Sequence, residues 1–169
     1  ELTAQLLELN GPSYMRTTRN KVPRMYEGGE KLRIGEGSVL REGGDIAIFS
    51  CGVMVGEAMA ASDTLSAEGI ECTVVDMHTI KPLDENLISK LAARCGCFVS
   101  AEDHSVVGGL GGAISEWIAA NSLIPLETVG VKDMFGQSGG SMELMEMMGL
   151  TESDICEAAR RSVERKNRP

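Results

Sequence analysis

From Asp45 onward, short apolar segments alternate with longer segments that have the apolar spacing of amphipathic helices. The short segments are rich in β-branched residues and predict buried strands at 45–50, 72–77, 97–101 and 126–131. The longer segments predict helices over 53–67, 84–94, 110–121, 142–148 and 152–166. Parallel strands need such helical crossovers between them. The alternation therefore predicts a three-layer α/β/α fold with a mostly parallel sheet of about five strands.

The part of the chain before Asp45 has a different character. Residues 1–9 predict a short helix that stops at an Asn-Gly-Pro sequence, and Ser13–Thr18 predicts a strand. The chain begins inside this helix without a methionine, so we expect a fragment of a longer protein. Glycine and charged residues dominate the next stretch, which predicts a linker with one short strand around Ser38–Arg41. We therefore divide the chain into residues 1–25, 26–44 and 45–169.

The composition, with 43% hydrophobic and 24% charged residues, is typical of a soluble globular protein. A net charge of −9 argues against nucleic acid as a partner, because phosphate binding needs a concentrated basic surface. No apolar run approaches the roughly 20 residues of a membrane helix, and we recognise no secretory leader. The five cysteines lack zinc-binding spacing and fit free thiols in a reducing compartment. We therefore expect a cytoplasmic protein that does not bind membranes.

Polar residues follow three of the predicted strands, at Ser50-Cys51, Asp76-Met77-His78 and Glu102-Asp103-His104. Open parallel sheets bind ligands beyond the carboxyl ends of their strands. His104 beside Asp103 is a candidate proton carrier, because histidine titrates near neutral pH. The alternative is that both histidines make structural hydrogen bonds in loops. The absence of a serine or cysteine in a nucleophile-elbow setting favours that alternative.

The glycine-rich stretch Gly108–Gly112 does not match a dinucleotide-binding fingerprint, because Ile114 stands where the third glycine should be. The glycines instead favour close packing of a helix start against the sheet and a neighbouring chain. Weak anion binding at this helix start stays an alternative. The methionine-rich segment 142–148 has more apolar residues than one buried face uses, which favours a subunit contact.

Three motifs occur in the order of one enzyme superfamily: Thr79–Asp84, Glu102-Asp103-His104 with Gly108–Gly111, and Phe135–Gly139. They resemble the C-terminal domain of the thiamine-diphosphate-dependent transketolase superfamily, and the resemblance covers most of residues 38–166. It implies the C-terminal section or subunit of a transketolase, which transfers a two-carbon ketol unit between sugar phosphates in the pentose phosphate pathway.

The resemblance also extends to the beginning of the chain, where residues 1–25 are similar to the end of the preceding pyrimidine-binding domain. In that family an arginine corresponding to Arg19 binds the substrate phosphate, and Arg16 is the less favoured candidate. A guanidinium fork suits a phosphate dianion. His104 and His78 are possible residues of the substrate-channel rim.

The cofactors that the resemblance implies, thiamine diphosphate and Mg²⁺, would be bound outside this chain. Gly44-Asp45 is followed by Ile46, so the family's Gly-Asp-Gly metal motif is not present there. The resemblance implies an isolated chain that is inactive and that assembles with the N-terminal transketolase domains or subunit, with homodimer contacts. Two alternatives stay open. One is the same part of 1-deoxyxylulose-5-phosphate synthase or of a 2-oxoacid dehydrogenase β subunit, and the other is a stand-alone binding or regulatory module.

Overall fold

A computed structural model describes residues 1–18 and 21–168. Its strands are β1 Ser38–Arg41, β2 Ile46–Ser50, β3 Cys72–Asp76, β4 Phe98–Ser105 and β5 Leu126–Val131. Its helices are α1 Leu2–Leu6, α2 Met54–Ala67, α3 Glu85–Cys95, α4 Leu110–Asn121, α5 Ser141–Met148 and α6 Glu152–Asn167. The strands form one sheet in the order β1-β3-β2-β4-β5. The β2–β3, β2–β4 and β4–β5 pairs are parallel, and β1 pairs antiparallel with β3. The predicted fold class is confirmed.

The sheet is buried on both faces, and β2 shows this best because all five of its residues are buried. Ile46 and Ile48 face a core built with α2 and α6. Ala47 and Phe49 face a second core built with α3 and α4. Each fully buried isoleucine or phenylalanine contributes roughly 1.5–3 kcal/mol of transfer free energy. The near-continuous apolar run of this strand therefore comes from its position at the centre of three layers.

Short polar side chains fix where two of the helices begin. The Asp84 carboxylate accepts the Leu87 N–H at 2.9 Å, which caps α3, and its other oxygen accepts the Gly37 N–H at 2.9 Å. Asp84 therefore connects the glycine-rich linker to the helix. Thr151 and Asp154 form a reciprocal capping box at the start of α6, as the sequence indicates.

The prediction of a strand at Ser13–Thr18 is wrong. These residues are exposed and extended, but none of the strands described in residues 1–18 and 21–168 pairs with them. A strand depends on ladder hydrogen bonds with a neighbour, which composition alone cannot supply. The first helix is also shorter than predicted, ending at Leu6, because it buries no residue and helices of this length are marginal.

No helix within the described part of the chain combines the length and apolar character needed to cross a bilayer.

Gly43, in the connection between β1 and β2, lies against the backbone at the start of β3. A Cβ atom on Gly43 would lie 2.5 Å from the carbonyl carbon of Cys72, whereas one on Gly44 would meet no atom within 4 Å. Gly43 is also held by Thr73, whose hydroxyl oxygen accepts the Gly43 N–H at 3.0 Å. We expect Gly43→Ala to lower the free energy of unfolding by more than about 2 kcal/mol. The matched Gly44→Ala should change it by less than about 1 kcal/mol. Urea unfolding of both variants measures this, and equal effects would contradict the close approach.

Candidate functional site

The carboxyl ends of β2, β3 and β4 bring three functional side chains together. Cys51 follows β2, Asp76 ends β3, and Glu102 lies within β4 where its pairing with β2 ends. Burial raises the pKa of the Cys51 thiol to about 12, and the nearby carboxylates of Glu102 and Asp76 add to this rise. A nucleophilic cysteine needs a depressed pKa. Cys51 is therefore a protonated structural thiol at neutral pH.

Glu102 joins the end of β4 to the start of α4. Its carboxylate is 1% exposed and accepts the backbone N–H groups of Leu110 and Gly111, both at 2.8 Å. A negative charge at a helix N-terminus is favoured by the helix dipole. Gly109 makes the approach possible, because a Cβ atom there would lie 2.7 Å from the Glu102 carboxyl carbon. The acidic motif and the glycine-rich motif are thus one structural unit.

The contacts of Glu102 also distinguish between the two interpretations of the glycine-rich helix start, anion binding and close packing. A free helix N-terminus attracts anions through its unpaired N–H groups. Here the Leu110 and Gly111 N–H groups already bind the chain's own carboxylate. The geometry favours the close-packing interpretation of these glycines.

Asp103 does not orient His104. Consecutive residues of a strand point to opposite sides, and Asp103 faces Arg16, with 3.8 Å between the charged atoms. His104 instead lies on the side of Glu102, with 3.9 Å between its Nδ1 and the carboxylate. Its Nδ1 is 2.9 Å from the Ser105 carbonyl, so Nδ1 carries the proton and donates to that oxygen. His104 is half exposed and its Nε2 is not used in this bond.

His78 and His104 have different hydrogen-bond partners. Its Nδ1 lies 3.1 Å from the Thr79 hydroxyl, and its buried Nε2 has no hydrogen-bond partner among the described residues. The structure places His78 just beyond the end of β3, as predicted, but β4 continues to Ser105, so His104 lies in the last residues of that strand and not beyond it. No hydrogen bond joins the two histidines among the described residues. Arg19 lies outside the described residues. Arg16 is half exposed and is placed at the end of β4 by its ion pair with Asp103.

Sequence analysis did not single out Tyr26, which binds one of the predicted strand-end residues. Its hydroxyl donates to the Asp76 carboxylate at 2.7 Å. Burial raises the pKa of Asp76, which is 9% exposed, and burial also raises the pKa of Tyr26. The second carboxylate oxygen of Asp76 is buried without a partner in the described part of the chain. The sequence feature that could have identified Tyr26 is its position as a tyrosine in a glycine-rich linker, because a buried tyrosine hydroxyl usually has a hydrogen-bond partner.

No group of three or more histidine, cysteine, aspartate or glutamate side chains in residues 1–18 and 21–168 could hold a metal ion. Asp45, which follows Gly44, is used for structure, because its carboxylate accepts the Glu71 N–H at 2.8 Å.

Comparisons with known proteins give a consistent set of relatives. A family model described as the transketolase C-terminal domain matches residues 35–155. A 6-deoxy-6-sulfo-D-fructose transketolase subunit of Clostridium sp. (strain MSTE9) is 42% identical over 96% of this chain. A 1-deoxy-D-xylulose-5-phosphate synthase of Trichormus variabilis is 39% identical over 87% of it. The chain spans only 51% and 24% of the lengths of these two relatives.

One solved structure is similar over nearly the whole chain. It is described as a split-gene transketolase in the form of an inactive β4 tetramer. Its TM-score is 0.93 at 39% identity, and the match covers 97% of this chain and 54% of that one.

The Glu102 anchor can be tested with two glycines in neighbouring positions. Gly109→Ala would force a methyl group into the carboxylate, whereas a Cβ atom on Gly112, inside α4, would meet no atom within 4 Å. We expect Gly109→Ala to lower the free energy of unfolding by more than about 2 kcal/mol. Gly112→Ala should raise it by about 0.5–1 kcal/mol through helix propensity. Thermal and urea unfolding measure both, and a tolerated Gly109→Ala would show that the anchor does not control packing.

Proposed function

Because this chain belongs to the transketolase C-terminal domain family, we propose that it is the C-terminal part of a transketolase. The enzyme would transfer a two-carbon ketol unit between sugar phosphates. The observation that carries the proposal is the structural match to a split-gene transketolase chain. The match covers 97% of this chain with a TM-score of 0.93. The 42% identity with a subunit of a sulfosugar transketolase supports the same reaction class.

Ketol transfer would depend on parts that lie outside this chain. Thiamine diphosphate, held with Mg²⁺ by the N-terminal domains or subunit, would supply the electron sink for carbon–carbon bond cleavage. Two observations support this division. No group of three or more histidine, cysteine, aspartate or glutamate side chains in residues 1–18 and 21–168 could hold a metal ion, and burial raises the pKa of the Cys51 thiol to about 12. The isolated chain would therefore be inactive and would serve assembly.

The contribution of this chain to the site would be the recognition of the anionic end of the sugar. We assign this role to Arg19, with Arg16 as the less favoured candidate, and we place His104 and His78 at the channel rim. A guanidinium fork binds a phosphate through two charge-assisted hydrogen bonds. The half-exposed positions of Arg16 and His104 at the end of β4 support this assignment. We assign residues 1–25 to the preceding pyrimidine-binding domain and 26–44 to the linker.

The methionine-rich helix supports a subunit contact. None of the residues of α5 is buried, and Met142 and Met147 are 66% and 53% exposed. Phe135, in the preceding loop, is 94% exposed. Apolar side chains of this size usually mark a surface that another chain covers. We assign it to homodimer contacts of a cytoplasmic enzyme of the pentose phosphate pathway.

Two relatives motivate competing substrates. The synthase relative, at 39% identity, favours pyruvate-dependent chemistry. The sulfosugar relative, at 42% identity, favours a ketose with a sulfonate in place of the phosphate. Either substrate is compatible with this fold, because substrate choice depends on the site and not on the fold.

Reconstitution tests the proposed reaction directly. Mixing this chain with its N-terminal partner, thiamine diphosphate and Mg²⁺ should give ketol transfer from xylulose 5-phosphate to ribose 5-phosphate, while each chain alone should give none. Parallel assays with 6-deoxy-6-sulfofructose and with pyruvate distinguish the competing substrates. Activity only with pyruvate would contradict the transketolase assignment.

Arg19→Ala in the reconstituted enzyme tests the phosphate-binding role. Losing a charge-assisted contact should lower kcat/KM for a phosphorylated ketose about 10- to 100-fold, because such bonds contribute about 1.5–3 kcal/mol. An unphosphorylated ketose should be affected less than about twofold. Arg16→Ala compares the second candidate, and Arg24→Ala, at an exposed arginine, is the matched control. Equal losses for both ketoses would mean that Arg19 has a structural role.

A further inference from the structure

Residues 14–18 and 21–26, hereafter the strap, touch the sheet at the ends of successive elements. Arg16 reaches Asp103 of β4, with 3.8 Å between the charged atoms. Pro23 lies close to Gly56, in the first turn of α2, where an added Cβ atom would be 3.6 Å from the proline ring. Tyr26 then donates its hydroxyl to Asp76 at the end of β3. The strap therefore contacts elements from β4 to β3, with β2 between them in the sheet.

The edge that the strap contacts is the one where open parallel sheets bind ligands. In this chain the strap lies close enough to Cys51, which follows the central strand β2, for the charge of Arg16 to act on its thiol. Burial raises the pKa of the Cys51 thiol to about 12, and Arg16 is among the charges that act on it. Cys51 is half-buried and the other four cysteines are buried, so Cys51 is the thiol on which a change in the strap can be probed.

The contacts of the strap differ in strength. The ion pair of Arg16 is long and half exposed, so water weakens it. The bond between Tyr26 and Asp76 is short, at 2.7 Å, and its carboxylate is 9% exposed. It is also the hydrogen bond that the structure gives this carboxylate, whose other oxygen has no partner among the described residues. Leaving a buried carboxylate without its hydrogen-bond donor costs free energy. The hydrogen bond to Asp76 therefore stabilises the position of the strap on the sheet.

We propose that Tyr26 and Asp76 are positioning residues, whose hydrogen bond holds the strap on the carboxyl edge and thereby positions Arg16, the second of the two phosphate-binding candidates. This role rests on the proposed function, which assigns recognition of the anionic end of the sugar to this part of the chain. Neither residue contacts the substrate. The bond anchors the strap to β3, while the ion pair of Arg16 with Asp103 holds the guanidinium near the end of β4.

Thiol labelling of the isolated chain tests the strap without any need for activity. Tyr26→Phe removes the hydroxyl that Asp76 accepts, so the strap should detach more often. Cys51 should then react with an alkylating reagent about tenfold faster or more, because a hydrogen bond to a charged group is worth that factor. Tyr14→Phe is the matched control, since Tyr14 is 88% exposed in the same strap, and its rate should equal that of the unmodified chain. Peptide mapping by mass spectrometry identifies the labelled cysteine.

Asp76→Asn provides the conservative rescue, because an amide oxygen still accepts the Tyr26 hydroxyl. Its labelling rate should stay within about twofold of the unmodified chain, whereas Asp76→Ala should behave like Tyr26→Phe. Equilibrium unfolding of each variant checks that labelling comes from the folded chain. If Tyr26→Phe does not fold, the comparison of Asp76→Asn with Asp76→Ala decides. An unchanged Cys51 rate in the variants that lack the bond overturns the proposal.

The reconstituted enzyme tests the positioning role. Tyr26→Phe should raise KM for a phosphorylated ketose at least about fivefold, with kcat and the KM of an unphosphorylated ketose within about twofold. Equal changes for both ketoses, or none, would overturn positioning even if labelling increases. A reconstituted enzyme without ketol transfer would refute the proposed function and the positioning role together. The labelling result would still decide whether the bond holds the strap.

Discussion

The carboxylate of Glu102 is the interaction on which the carboxyl edge of this sheet depends. Burying a charge is costly unless hydrogen bonds compensate for it. Glu102 is 1% exposed, and the N–H groups of Leu110 and Gly111 provide that compensation at the positive end of α4. The bonds require glycine at 109, where a side chain would collide with the carboxylate. One buried charge therefore fixes how β4 passes into α4.

The position of Glu102 determines where its neighbours lie. Since successive strand residues alternate between the two sides, Asp103 turns to Arg16 while His104 returns to the side of Glu102. The motif that identifies the family is thus structural at its first residue, its second residue pairs with Arg16 of the strap, and its third is half exposed. A family signature can mark a packing requirement as readily as a reactive group.

The sheet and its helices form two cores within this chain. Two apolar cores, one on each face of the sheet, stabilise residues 38–167 through their own contacts. At the carboxyl edge both oxygens of Glu102 have partners within the chain, whereas Asp76 uses one oxygen for Tyr26 and its other oxygen has no partner among the described residues. The chain matches 54% of the length of a solved split-gene transketolase chain. The surfaces left open, such as α5 with its exposed methionines, are those that a second chain could cover.

The sequence by itself determined the α/β/α layers, the element order and the family, because apolar periodicity, helix caps and ordered motifs are local properties. It also located the ends of β2 and β3 that carry Cys51 and Asp76, whereas β4 continues past Glu102 to Ser105. Only the tertiary structure decided what those side chains bind. Ser13–Thr18 lacked a pairing strand, and Tyr26 found Asp76 fifty positions away. Such partners are set by how elements pack, so neither composition nor spacing along the chain contains them.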